Sequence, residues 1–166
     1  MTPAEFVSTV LDPGLAWCAS IPGWAVPSDD RARVLLTAIS GQEANWSARK
    51  QANSGPARGL FQFERRGGVA GVLNDDVTAD MARAACAKAG VAPNSLTVWR
   101  ALETNDRLAV AFARLLLWTE EAPLPEVGDI AAAWKTYSRL WRPGAPSFNR
   151  WQIDYPQALA AAVPIA

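Results

Sequence analysis

The chain contains no histidine among its 166 residues. Imidazole is the usual base of serine and cysteine hydrolases and the commonest zinc ligand, so serine, cysteine or zinc chemistry that relies on it is closed to this chain. If the protein is a hydrolase, carboxylates must carry its proton transfers. Glycoside cleavage is the main reaction class that works this way. Cysteine is almost as scarce, with only Cys18 and Cys86. Both sit among apolar neighbours, which predicts buried free thiols, with one bridge between them as the alternative. Charge of one sign is also lacking: 16 lysines and arginines balance 16 aspartates and glutamates. Nothing in that balance points to nucleic acid.

Long hydrophobic runs are missing too. None reaches the ~20 residues of a spanning helix, so no membrane span is expected. The N-terminus has no basic region, and Asp12, Pro13 and Gly14 interrupt its apolar stretch. It reads as a poor signal peptide. The expectation is synthesis in the cytoplasm, with outside help in delivery if the substrate lies beyond the membrane. No repeat, low-complexity block or linker divides the chain, so residues 1–166 read as one domain.

What is present is mostly helical signal. Thr2, Pro3 and Glu5 open a helix that should break near Pro13-Gly14. Ser28 caps a second, with Asp29 and Asp30 in its first turn and Ala32, Leu35, Leu36 and Ile39 at helical spacing as far as about Ala44. Residues 45–71 lack a clean period and read as loop with a short extended segment or hairpin. Further helices are expected over 78–89, closed by Gly90, and over 95–102. Another runs from Thr104 or Asn105 to Trp118, one spans 129–140, and one begins at Pro146 and takes in the alanine-rich tail. The fold class is therefore mainly α, or α+β with a minimal hairpin.

Glu43 lies four residues after Ile39, seven after Leu36 and eight after Leu35, on the apolar stripe near its helix's C-terminal end. A carboxyl there is partly desolvated and beside the negative end of the helix dipole, and both effects raise its pKa. A general acid for glycosidic cleavage needs that. Position alone equally fits a glutamate turned out to solvent.

The stretch that follows narrows the choice. Gln42-Glu43-Ala44-Asn45-Trp46 and then Ala57-Arg58-Gly59-Leu60-Phe61-Gln62 resemble the paired signatures of soluble lytic transglycosylases and goose-type lysozymes. Residues 55–64 look like a variant found in small phage-encoded lysozyme-like proteins. Phe61 stands where methionine is common and Pro56 where glycine is common, and neither change removes a reacting group. The resemblance implies a lysozyme-like α domain with its motif-bearing core at about 28–144, and Glu43 as the catalytic acid. It implies that Gln62 binds substrate or orients Glu43, that Gly59 lets the backbone of the Gly59-Leu60 segment approach the sugar, and that Tyr137 faces the glutamate. The family's Tyr-Asn-x-Gly is replaced here by Tyr137-Ser138-Arg139, with the glycine delayed to Gly144, so a packed core tyrosine remains the alternative.

Members of that family cut peptidoglycan at the MurNAc-GlcNAc β-1,4 bond with a single glutamate and no metal or cofactor. A hydrolase would need a second carboxylate, for which Glu64, Asp75 and Asp76 are the candidates; Glu64 faces the same side as Gln62 if the segment is extended. A solvated pairing with Arg65-Arg66 is the simpler reading of Glu64. Of the eight tryptophans, Trp46 is the expected subsite wall. Trp17, Trp99, Trp118 and Trp134 are expected in the core. Trp141 and Trp151 either border a cleft or close the last helices. The expected partners are peptidoglycan glycan strands and virion or tail proteins, with the enzyme acting at the wall during infection or lysis. A lysozyme-like phage particle component without catalysis is the competing reading.

Overall fold

In a computed structural model that describes residues 1–163, the chain is mainly α and forms one domain. The helices are α1 (Pro3–Phe6), α2 (Asp12–Ala19), α3 (Asp30–Ala44), α4 (Ala70–Asn74), α5 (Ala79–Ala89), α6 (Ser95–Ala101), α7 (Asp106–Trp118), α8 (Ile130–Trp141) and α9 (Phe148–Ala162). The part of the expected tail helix that falls on residues 164–166 lies outside the described residues.

Polar side chains set most helix starts. Asp29, Asn94, Asn105, Asp129 and Ser147 each accept a hydrogen bond from a backbone N–H three residues on, which satisfies one orphan donor of the first turn. The second cap is thus Asp29, one residue beyond Ser28. α7 is buried from Leu108 to Leu117, and α3 is buried over most of Val34–Gly41. A helix buried on nearly all sides belongs to the core. α3 packs chiefly against α9, and α2 against α7. Cys18 and Cys86 are both buried and unpaired, as expected.

Two segments differ from the sequence reading. The N-terminal helix does not break at Pro13-Gly14. It passes from α1 through a π-helical turn (Val7–Leu11), where Asp12 N–H reaches back to Val7 O, into α2. The wider turn makes room for a proline that neither donates nor tolerates a tight preceding turn. Gly14 instead serves close packing: a Cβ there would lie 2.8 Å from Val110 Cβ. The 45–71 stretch contains isolated bridges, Lys50 with Arg58 and Arg58 with Phe63, in place of a hairpin. Its end, together with the residues up to Asn74, is helical: a π turn (Arg65–Val69) leads into α4. Three glycines (Gly67, Gly68 and Gly71) depress helix propensity and hide this from the sequence.

Candidate active site

α3 delivers Glu43 on its last turn. The helix then stops at a left-handed Asn45 (φ 47°), whose N–H returns to Gly41 O at 3.0 Å. The carboxyl opens into a cleft of about 800 Å³. Its walls are the end of α3, the 62–74 segment, the end of α7, and α8 with the turn that follows it.

Tyr137, on α8, donates its phenolic hydrogen to Glu43 Oε1 at 2.5 Å. The phenol is held in place by aromatic packing. Its ring stacks on Trp151 at 5.1 Å between centroids and 11° between planes, with Trp134 at 5.4 Å. Burial, with the Glu43 charge adding to it, pushes the Tyr137 hydroxyl well above its usual range, so it stays a proton-bearing donor.

Burial is likewise the main force on Glu43, lifting its pKa from 4.5 to about 7; the Tyr137 hydrogen bond opposes the rise and the Glu64 charge adds to it. A carboxyl poised there can donate a proton near neutral pH and take one back. Tyr137 occupies Oε1, which leaves Oε2 as the oxygen to carry the mobile proton.

Gln62 and Glu64 both line the cleft. Their placement does not come from an extended strand. Arg58 and Phe63 exchange backbone hydrogen bonds of 3.0 and 2.9 Å across a tight turn, with Gly59 at φ 76° and Gln62 at φ 47°. Gln62 Nε2 donates to Gly59 O at 2.9 Å and so braces this turn. Glu64 is exposed and makes no ion pair with Arg65 or Arg66 within the described residues.

Three expected substrate contacts lie elsewhere. Leu60 is fully buried in the core. A Cβ on Gly59 would lie 2.3 Å from Leu102 O, so the close approach this glycine permits is to the chain's own backbone. Trp46 is 5% exposed and folds back over α3, its indole N–H donating to Thr37 O at 2.9 Å. The room it fills is the missing side chain of Gly41, where a Cβ would sit 2.5 Å from the indole.

Trp141 stands at the cleft wall, where Trp46 was expected. It borders the cleft, fixed by an indole hydrogen bond to Phe61 O at 3.0 Å and by packing on Phe63 at 5.9 Å. Trp151 is fully buried, so the two tryptophans that bracket the turn part company. Sequence reasoning assigned no role to Gln42, whose Oε1 is buried without a hydrogen-bond partner at the cleft wall, nor to Arg66, Arg139 and Arg142, which also line the cleft. The Arg142-Pro143-Gly144 turn was the one available signal for that rim.

Among the described residues no group of three or more histidine, cysteine, aspartate or glutamate side chains could hold a metal ion. No helix among them is long and apolar enough to cross a membrane. No protein-family model, curated protein or solved structure matches this chain.

Proposed function

We propose that this protein cleaves the glycan strands of peptidoglycan at the MurNAc-GlcNAc β-1,4 bond, with Glu43 as general acid and then base. The observation that carries the reading is a carboxyl with a pKa raised to about 7, gripped by Tyr137 and facing a cleft of about 800 Å³. The likeness of residues 42–46 and 57–62 to lytic transglycosylases supports it independently.

Glu43 Oε2 donates its proton to the glycosidic oxygen as the bond to the anomeric carbon breaks, and the leaving sugar departs with a hydroxyl. The carboxylate that remains accepts the proton of the muramyl 6-hydroxyl as that oxygen bonds to the anomeric carbon. The product is a 1,6-anhydro end. The Tyr137 hydrogen bond stabilises the carboxylate formed between the two transfers. Trp141 offers an apolar face for a sugar ring, and Gln62 braces the turn beside it. In this reading the protein is phage-encoded and acts on the wall either from the virion or at lysis.

The test is digestion of purified peptidoglycan by the wild type and by Glu43→Gln, with analysis of the released ends. Anhydro ends from the wild type and a loss of at least ~1000-fold in the variant are expected. Unchanged digestion by a folded Glu43→Gln protein would sink the mechanism. An inert wild type over a range of pH and salt would leave the particle-component reading.

A further inference from the structure

The cleft contains two arginines that the fold leaves unpartnered. Arg66 enters it from the glycine-rich π turn and Arg142 from the end of α8. Both are exposed, and neither makes an ion pair or side-chain hydrogen bond within the described residues. The third arginine of the lining, Arg139, is occupied: it grips Glu120 through Nε at 2.7 Å and through Nη2.

The chain as a whole has no excess of positive charge to explain this, since its 16 basic and 16 acidic residues balance. In the cleft the balance tips. Glu43 is substantially protonated near neutral pH, which leaves Glu64 alone against Arg66 and Arg142. Local backbone preference does not account for Arg142 either. It closes α8 in the left-handed conformation, φ 47° and ψ 53°, where glycine or asparagine is the favoured residue. A guanidinium presents a planar fork of donors suited to a carboxylate.

We propose that Arg66 and Arg142 form an anion-binding subsite that engages carboxylates carried by the glycan, so that the cleft prefers a carboxylate-bearing strand to a neutral one. This rests on the glycan-cleaving reading and adds to it a basis for telling a muramyl polymer from a chitin-like one. The shared chemistry is a carboxylate, and it has two sources: the lactyl ether of the muramyl sugar, or the peptide stem attached to it.

The experiment measures binding by calorimetry to full-chain Glu43→Gln protein, which holds substrate without turnover. Three probes of equal sugar length are compared: a peptide-bearing glycan, a peptide-free glycan with free lactyl carboxylates, and a chito-oligosaccharide. Affinity for a carboxylate-bearing probe should exceed that for the chito-oligosaccharide by about tenfold and shrink as salt is raised. Preference for the peptide-free probe alone assigns the lactyl source, whose carboxyl is a neutral amide in the peptide-bearing glycan. Preference for the peptide-bearing probe alone assigns the stem, and preference for both means that the subsite takes either carboxylate. Adding Arg66→Ala and Arg142→Gly should erase the preference while leaving chito-oligosaccharide affinity in place. Glycine suits the left-handed backbone at 142, so that substitution should not lower the melting temperature.

Equal affinity for all three probes would overturn the subsite. So would a preference that survives the double substitution, or a double variant that loses every probe alike. Binding of no probe, together with a wild type that cuts no peptidoglycan, would overturn the glycan reading itself.

Discussion

The protonation of Glu43 should be readable in the stability of the fold without any substrate. Burial raises its pKa from the ordinary 4.5 to about 7. Below pH 4.5 the carboxyl is protonated in both the folded and the unfolded chain. Between 4.5 and 7 the unfolded chain releases the proton while the folded chain holds it. Folding stability then falls by ~1.4 kcal/mol for each pH unit. Above about pH 7 the loss is complete and amounts to ~3 kcal/mol.

Glu43→Gln keeps the shape, leaves an oxygen for Tyr137 to donate to, and removes the titration. The variant should match the wild type in stability near pH 4.5 and exceed it by ~3 kcal/mol at pH 8, because the contributions of all other groups cancel in the difference. For a domain of this size that is a melting-temperature gain of ~6–12 °C. Urea unfolding of both proteins at pH 4.5, 6 and 8 checks it. A stability difference that stays flat across this range, or a variant less stable than the wild type at pH 8, would refute the claim that Glu43 is desolvated in the fold.

Tyr137→Phe removes the hydrogen bond that favours the carboxylate. The basic limb of the pH-rate profile for glycan cleavage should therefore move up by ~1 pH unit; a downward move would contradict the assigned donor. Glu64→Gln removes a negative charge that holds the Glu43 pKa up, so the same limb should move down by a few tenths of a unit. Its products should keep anhydro ends. Reducing ends from the wild type, with a loss of ~1000-fold in Glu64→Gln, would instead make Glu64 the base that activates water. Gly59→Ala places a Cβ against Leu102 O at a backbone φ of 76°. It should cost ~2–4 kcal/mol of stability by chemical denaturation. A fully stable variant with only substrate affinity lost would restore the sugar-approach reading of Gly59.

The contrast between Trp46 and Trp141 explains where sequence reasoning stopped. Trp46 is three residues from Glu43 in the chain, yet it is buried. The left-handed residues Asn45 and Trp46 turn the chain back over α3, and Gly41 leaves the space the indole fills. Trp141 is 98 residues from Glu43, yet it borders the same cleft. Its ring reaches that wall because α8 carries Tyr137 to the glutamate and ends one turn later. Chain proximity measures neither the direction of a side chain after a helix stop nor the docking of a distant helix.

The sequence by itself excluded any chemistry that relies on imidazole, because no histidine is present, and so drew attention to the carboxylates. It also determined most helix bodies and several of their caps, since spacing of apolar residues and a capping oxygen act within a few residues of one another. The mainly α class and the burial of the two free thiols followed from the same local information. The tertiary structure decided what surrounds Glu43: the cleft before it, the Tyr137 hydroxyl on one oxygen, and the arginines along the rim. Desolvation and charge neighbours are sums over residues far apart in the chain. For that reason a pKa near 7 becomes legible only once α3, α7 and α8 are packed together.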